Sequence, residues 1–209
     1  EDGSELAPGG EYEFLSLAGQ EVNLYSREHK TTLVAELGQT DLIARARQRA
    51  LIEPDKRSSR IAAALGKNLV DAKGKPFAGE VDKASVYALY FGASWCGPCR
   101  KFSPGLVKFM NETAAQNPRL LTVLLSSDQK DPDMLEYMSD EKMPWPAMPL
   151  ATLNQPPLLA SYSIGSIPHL VIVDRYGKVL TSSMQNGRYV GPDKALTDLK
   201  QLLASGIAR

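Results

Sequence analysis

Two cysteines spaced for thiol-disulfide chemistry are the only cysteines among the 209 residues. Cys96 and Cys99 lie in the segment 95–100, Trp-Cys-Gly-Pro-Cys-Arg, between an apolar stretch at 86–91 and a helical pattern. A cysteine in the first turn of a helix is close to unpaired backbone N–H groups and to the positive end of the helix dipole, which favour thiolate over thiol. The second cysteine lies one turn further on, close enough to form a small disulfide ring. We therefore predict a redox enzyme.

Two metal-binding alternatives compete with redox chemistry. A Cys-x-x-Cys pair is also half of a structural zinc site, which needs two further ligands at matching spacing. The two histidines, His29 and His169, are each alone and far apart in the sequence, so we expect no zinc. A Cu(I) site of both thiolates and His169 is the stronger alternative, although such sites usually have wider cysteine spacing or many methionines nearby. The sequence thus predicts no bound metal and leaves a copper-binding module as an alternative function.

Composition and charge narrow the classes of partner. Apolar residues make up 43% of the chain and charged residues 23%, and the formal net charge is zero. A nucleic acid or an anionic membrane surface would require a basic excess or stripe, so neither is an expected partner. No apolar run is long enough to span a bilayer. We expect a globular protein with a sizeable core and no membrane span.

The cellular location is predicted from weaker signals. The sequence begins at Glu1 and not at Met, which is compatible with removal of a secretory signal or with a shortened chain. With both cysteines in one motif, no further thiol could mispair in an oxidising compartment. We therefore expect a periplasmic or otherwise extracytoplasmic location, with the cytoplasm as the alternative.

The N-terminal part of the sequence has its own pattern and is predicted to be a small β-rich module, residues 1–52. Alternating apolar residues indicate an antiparallel meander, and a short helix and a polar linker follow. The predicted segments are strands at 12–17, 22–25 and 31–37, a helix at 40–51 and a linker at 53–60. The stretch 14–19, Phe-Leu-Ser-Leu-Ala-Gly, resembles small all-β homology domains of bacterial envelope proteins, which implies docking to a partner or to the envelope. A stabilising extension is the alternative.

Residues 61–209 alternate between strand and helix patterns, which predicts an α/β domain with a central sheet and helices on its faces. The buried strand at 86–91 leads directly into the cysteine motif. The other predicted elements are strands at 69–70, 120–125, 170–173 and 179–182, and helices at 97–116, 131–139 and 192–204.

Five motifs of this domain resemble the thioredoxin fold and, within it, the tryparedoxin and nucleoredoxin branch. They are Tyr90-Phe91, Trp95-Cys96-Gly97-Pro98-Cys99-Arg100, Met143-Pro144-Trp145-Pro146, Gly165-Ser166-Ile167-Pro168 and Val173-Asp174-Arg175-Tyr176-Gly177. The resemblance implies a thioredoxin fold over about 61–209 that follows the N-terminal module. It also implies a thiol-disulfide oxidoreductase that reduces protein disulfides, is recharged by an upstream dithiol donor, and needs no cofactor beyond its own disulfide.

The resemblance also assigns roles to individual residues. Cys96 would be the attacking thiolate and Cys99 the buried resolving thiol. Pro168 would take the family's cis-proline position beside the disulfide, and Ile167 would offer its backbone to an extended substrate segment. The remaining candidates are substrate-contacting Trp95 and Trp145, and the supporting residues Tyr90, Gly97 and Pro98.

Two departures from the family pattern affect the expected chemistry. Tyr90 occupies the position of the buried aspartate of thioredoxin, so the proton of Cys99 must leave by another route, such as water. Gly97-Pro98 is the thioredoxin dipeptide, whereas tryparedoxin-like relatives commonly carry Pro-Pro. The dipeptide favours a reducing potential near thioredoxin's roughly −270 mV. A disulfide oxidase or isomerase of the same fold remains the alternative.

Overall fold

The computed structural model describes residues 12–18, 21–26, 30–36, 58–113, 116–153 and 156–207. The chain divides into two compact units, Glu1–Glu53 and Pro54–Arg209. The helix predicted at 40–51 lies outside the described residues, as does most of the linker predicted at 53–60. The predicted domain limits of 1–52 and 61–209 therefore stay a prediction.

The described part of the first unit is a three-stranded antiparallel sheet, β1 (Tyr12–Ala18), β2 (Glu21–Ser26) and β3 (Thr31–Glu36), in the order β1-β2-β3. Leu24 pairs with Leu33 across β2 and β3, and both side chains are buried. Val34 follows Leu33 and is exposed, as expected from the alternation of side chains along a strand. The predicted meander is confirmed.

The second unit is built on a mixed four-stranded sheet in the order β5-β4-β6-β7. Every residue of β4 is buried, as expected for a central strand with helices packed on both faces. Strand β5 is parallel to β4, whereas β6 is antiparallel to β4 and to β7. The strands are β4 (Val86–Gly92), β5 (Leu120–Ser126), β6 (His169–Asp174) and β7 (Val179–Ser182). This is the predicted thioredoxin fold.

Helices and a short hairpin complete the second unit. They are α1 (Arg60–Leu65), α2 (Gly97–Thr113), α3 (Asp131–Asp140), α4 (Leu150–Leu153), α5 (Pro157–Ala160), α6 (Pro192–Ala204), and the hairpin strands β8 (Met184–Gln185) and β9 (Arg188–Tyr189). The strand predicted at 69–70 is wrong, because Val70 forms only isolated bridges to Pro76 and Ala147. Among the described residues, no helix is both long and apolar enough to cross a membrane.

The last residues of the predicted linker belong to the second unit. Ser59 is 1% exposed, and its hydroxyl accepts a hydrogen bond from Ala62 N at 3.0 Å, which caps α1. The same hydroxyl lies 2.9 Å from the Tyr87 hydroxyl and donates to the Arg175 carbonyl. Serine is common both in linkers and at helix N-caps, and here the cap is the correct interpretation. A polar Ser-Ser pair was therefore not sufficient to place the linker's end.

The hairpin β8-β9 is an element that the sequence analysis missed. Its turn is Asn186-Gly187, with φ angles of 51° and 75°. Asn-Gly is the preferred pair for a two-residue type I′ turn, which requires positive φ at both positions. The local signal was therefore present in the sequence. The hairpin lies next to the N-terminal end of β6, because Val190 N donates to Ser183 O and Ser183 N donates to Leu170 O.

Candidate active site

Cys96 and Cys99 form a disulfide at the junction of β4 and α2. The S–S distance is 2.09 Å and the Cα atoms are 5.2 Å apart. Helix α2 begins at Gly97, so Cys99 lies in its first turn and Cys96 just before it. Gly97 and Pro98 separate the two and are exposed. The small ring expected from the spacing is confirmed.

The two sulfurs differ in burial and in hydrogen bonding. Cys99 is 0% exposed and Cys96 is 5% exposed, so both residues are buried in this oxidised form, although an attacking thiolate has to be accessible to its substrate. The backbone N–H of Cys99 donates to Cys96 Sγ at 3.1 Å. In the reduced protein this N–H, which has no partner within the helix, would make a charge-assisted bond to a Cys96 thiolate. The geometry therefore favours ionisation at Cys96.

Two charged side chains fix the loop that carries Cys96. Asp128 accepts hydrogen bonds from the backbone N–H of Ser94, at 3.1 and 3.2 Å to its two oxygens, and from the Ser94 hydroxyl at 2.7 Å. Ser126 Oγ, at the end of β5, also donates to Asp128 at 2.7 Å. From α2, Arg100 Nε donates to the Ser94 carbonyl at 2.7 Å. Ser94, two residues before Cys96, is thus held through its backbone N–H, its hydroxyl and its carbonyl.

Three neutral hydroxyl groups surround the start of α2 behind Cys99. The Tyr90 hydroxyl lies 3.0 Å from Ser103 Oγ and 3.0 Å from the Tyr137 hydroxyl, and Ser103 Oγ lies 2.6 Å from the Tyr137 hydroxyl. Ser103 Oγ also donates to the Cys99 carbonyl at 3.0 Å. Tyr90, Ser103 and Tyr137 are all 0% exposed. We call these three side chains the hydroxyl cluster.

Burial keeps the hydroxyl cluster uncharged. Desolvation raises the pKa of Tyr90 far above its usual value and also raises the pKa of Tyr137. The position where thioredoxin has a buried aspartate is therefore occupied by a neutral phenol with two hydroxyl neighbours. The hydrogen bonds of the cluster end on the carbonyl oxygen of Cys99. They do not test how the Cys99 thiol loses its proton, so that route stays a prediction.

Pro168 lies at the same edge of the sheet as the disulfide. The Ile167–Pro168 peptide bond is cis. Strand β6 starts at His169, which pairs with Phe91 near the C-terminal end of β4, the strand that leads to Cys96. Within the described ranges, neither backbone polar group of Ile167 has a hydrogen-bond partner. Both groups are therefore unpaired there, and the binding of an extended substrate segment by Ile167 stays a prediction.

His169 is occupied by contacts within the fold. It is 1% exposed, its Nε2 lies 3.1 Å from the Tyr162 carbonyl, and its ring packs against Phe91 with 5.4 Å between centroids. Burial lowers the pKa of His169, so the ring is neutral at physiological pH. The described residues contain no group of three or more His, Cys, Asp or Glu placed to hold a metal ion. His29, the other candidate ligand, lies outside those residues.

The two tryptophans proposed to contact substrate have different environments. Trp95, directly before Cys96, is 66% exposed and presents its indole to solvent. Trp145 is only 4% exposed, and its Nε1 has no partner among the described residues. A buried indole offers little surface to a substrate, so the expected substrate contact of Trp145 does not fit this structure. Trp145 contributes to the core instead.

Several residues of the site were missed in the sequence. They are Ser94, Ser103, Asp128, Tyr137 and Tyr189. Ser94 and Asp128 are 34 positions apart, as are Ser103 and Tyr137, and no local pattern indicates either pair. Tyr189, whose hydroxyl donates to the Pro168 carbonyl at 2.5 Å, follows the Asn-Gly turn and could have been placed by it.

Comparison with known proteins agrees with this geometry. A family described as thioredoxin-like matches residues 84–179. Tryparedoxin of Trypanosoma brucei brucei is 35% identical over 111 residues, which cover 51% of this chain and 72% of that protein. The structure of tryparedoxin I from Leishmania major superimposes with a TM-score of 0.52 and 28% identity, over 68% of this chain and 93% of that one.

Longer relatives match over a smaller share of their length. Probable nucleoredoxin 1 of Arabidopsis thaliana is 32% identical over 98 residues, which cover 47% of this chain and 17% of that protein. Nucleoredoxin of Xenopus laevis is 33% identical over 100 residues, or 24% of its length. The match therefore spans about a fifth of the nucleoredoxins and nearly three quarters of the trypanosome tryparedoxin. With its paired cysteines at a helix start and its mixed sheet, the chain belongs to the thioredoxin-like family, in the branch that contains the tryparedoxins and nucleoredoxins.

Proposed function

We propose that this protein reduces disulfide bonds in other proteins through its Cys96–Cys99 dithiol. One observation carries the proposal: the two sulfurs are bonded to each other at the N-terminus of α2, with a backbone N–H aimed at Cys96 Sγ. The redox-active disulfide serves as the only electron carrier, and no further cofactor is part of the proposal. The free backbone groups of Ile167 supply a place for the substrate chain.

The reaction consists of two exchange steps. The Cys96 thiolate attacks one sulfur of the substrate disulfide, forms a mixed disulfide and releases the other substrate sulfur as a thiolate. Cys99, after losing its proton, then attacks Cys96 Sγ, and the second substrate sulfur leaves as a thiolate. The substrate gains two electrons and two protons, and the protein ends as the Cys96–Cys99 disulfide. An upstream dithiol returns it to the reduced form by the reverse sequence.

The second cysteine contributes more to the rate than activation of the first. Lowering a thiol pKa from about 8.5 to about 7 raises its thiolate fraction at neutral pH from about 3% to about 50%. Nucleophilicity falls as the pKa falls, so the net gain in attack rate is only about threefold. Because Cys99 is held within one helical turn of Cys96, release of the substrate is intramolecular and avoids the entropy cost of a second encounter.

The direction of electron flow and the location are also part of the proposal. The Gly97-Pro98 dipeptide favours a reducing potential, and the neutral surroundings of Cys99 give no special stabilisation to a second thiolate. An oxidant, by contrast, must stabilise its reduced form.

We propose an extracytoplasmic location because both cysteines of the sequence are used in one disulfide. The location is tested by measuring, in separated cell fractions, where the protein is found and whether its Cys96–Cys99 pair is oxidised or reduced.

The experiment follows reduction of a disulfide-bonded test protein, insulin, with dithiothreitol as the donor. The wild-type protein should accelerate insulin reduction, and Cys96→Ser should abolish the acceleration. Cys99→Ser, reduced beforehand and freed of dithiothreitol, should form a mixed disulfide with insulin that survives non-reducing gels. Equilibration with glutathione should give a potential near roughly −270 mV. No acceleration by the wild-type protein would refute the function. A potential above about −180 mV, in the range of disulfide isomerase and stronger oxidants, would favour the alternative of an oxidase or isomerase.

A further inference from the structure

Exposed apolar side chains in the second unit are few. In its described part, four large ones are exposed: Trp95 at 66%, Tyr189 at 47%, and Val179 and Val190 at 45% each. Trp95 immediately precedes Cys96, and Tyr189 contacts Pro168, so both aromatic residues lie at the edge of the sheet that carries the disulfide. Exposed aromatic surface beside a reactive group is typical of a binding site.

The backbone around Tyr189 is firmly attached to the strand that follows Pro168. Ser183, just before the hairpin, donates its N–H to the Leu170 carbonyl at 2.9 Å and accepts the Leu170 N–H on Oγ at 2.8 Å. Val190 N, directly after Tyr189, donates to the Ser183 carbonyl at 2.8 Å. Ser183 is 0% exposed, so these bonds are shielded from water. Tyr189 therefore stands on a rigid support.

The side chain of Tyr189 is fixed at its tip and open along its ring. Its hydroxyl donates to the Pro168 carbonyl at 2.5 Å, while about half of the residue remains accessible. A ring that is already ordered loses little conformational entropy when a ligand covers it. The bond also occupies the Pro168 carbonyl, so a substrate chain is left with the backbone of the preceding residue, Ile167.

We propose that Tyr189 is a specificity-determining residue that, together with Trp95, selects extended polypeptide segments with an apolar side chain next to the disulfide cysteine. This inference rests on the proposed function and names the substrate class of the same site. Ile167 would pair with the substrate backbone, and the two aromatic rings would cover the apolar side chains that flank the attacked sulfur. A small disulfide without flanking residues does not need the Tyr189 ring to reach Cys96.

The test compares three substrates: a peptide disulfide with leucine beside the cysteine, the same peptide with glycine there, and bis(2-hydroxyethyl) disulfide, which has no apolar group beside its sulfurs. The wild-type protein should reduce the leucine peptide with a kcat/KM at least about tenfold above that for the glycine peptide, a ratio that corresponds to about 1.4 kcal/mol. Tyr189→Ala should reduce that ratio to about two, through KM, and change the rate with the small disulfide by less than twofold. Val179→Ala is the matched control, because Val179 is similarly exposed but pairs with Val173, far from Pro168 along β6.

Tyr189→Phe separates binding by the ring from the hydrogen bond to Pro168. It should keep most of the leucine preference, because the apolar ring remains. Loss of that preference in Tyr189→Phe, or equal losses on all three substrates in Tyr189→Ala, would overturn the proposal. A wild-type protein without preference for the leucine peptide would overturn it even if the variants failed to fold. In that case, continued reduction of all three substrates would leave the proposed function standing, and reduction of none would refute that function.

Discussion

The two sulfurs of one disulfide lie in contrasting surroundings. The loop before Cys96 is held by ionisable groups, because Ser94 bonds to the Asp128 carboxylate and to the Arg100 guanidinium. The backbone of Cys99 is instead held by the hydroxyl cluster, which is fully buried and neutral. Charged groups fix the cysteine nearer to solvent, and neutral groups fix the deeper one.

This contrast supports the different roles that we propose for two identical side chains. A helix N–H directed at Cys96 Sγ favours a thiolate there. Around Cys99, complete burial raises the cost of a charge, and the hydroxyl cluster is neutral, so it supplies no positive charge to offset that cost. We therefore expect Cys99 to react only after a mixed disulfide on Cys96 makes it the closest nucleophile.

Removing the carboxylate on the Cys96 side should have the largest effect. Asp128→Ala leaves three donors on Ser94 and Ser126 without their acceptor, which should cost about 3 kcal/mol of stability. The melting temperature should fall by about 6–12 °C. Because the loop before Cys96 loses its position, insulin reduction should slow by about tenfold. Calorimetry and the insulin assay measure the two effects.

The matched control is Asp128→Asn, which keeps an acceptor oxygen and removes the charge. It should recover part of the stability and most of the activity if geometry is what Asp128 supplies. An Asp128→Ala variant with the melting temperature and turnover of the wild-type protein would show that the loop does not depend on this carboxylate, and the contrast between the two sides would fail.

A change in the hydroxyl cluster should affect stability and spare Cys96. Ser103→Ala removes the donor to the Cys99 carbonyl and one partner of each tyrosine hydroxyl, at a cost of about 1–3 kcal/mol. The alkylation rate of Cys96 in the reduced variant should remain within about twofold of the wild-type rate, since the cluster contacts the other cysteine. Thermal unfolding and timed iodoacetamide labelling separate the two quantities. A large drop in Cys96 reactivity without loss of stability would contradict the assignment.

His169 should give the smallest effect, and only in acid. Burial lowers its pKa below the ordinary value of 6.5, so the unfolded chain takes up the proton more readily than the folded one. The neutral imidazole therefore costs nothing above about pH 6.5, and stability is lost as the pH falls below that value, by at most about 1.4 kcal/mol per pH unit. His169→Gln should flatten this dependence in urea unfolding between pH 7 and pH 5. If the dependence of the unfolding free energy on pH is unchanged in His169→Gln, His169 is protonated as readily in the folded protein as in the unfolded chain.

The features of the fold and of the site that depend on local sequence pattern could be predicted. The Trp-Cys-Gly-Pro-Cys motif after an apolar strand located the disulfide at a helix start, and the continuous apolar run at 86–91 located the buried central strand. The hydrogen bonds from Ser94 and Ser126 to Asp128 and the hydroxyl cluster could not be predicted, because their members come together only when β4, β5, α2 and α3 pack. The errors at Ser59 and Trp145 have another cause. A serine pair suits a linker or a cap, and a tryptophan between prolines suits a loop surface or a core, and only packing decides.

The most direct test of the account measures the alkylation rates of both cysteines in the fully reduced protein between pH 5 and pH 10. Iodoacetamide reacts with the thiolate, so each rate reports ionisation and access at that sulfur. We predict that Cys96 is labelled at least about tenfold faster than Cys99 at pH 7, with an apparent pKa for Cys96 below the ordinary value of about 8.5. Equal rates, or faster labelling of Cys99, would contradict the assignment of nucleophile and resolving thiol.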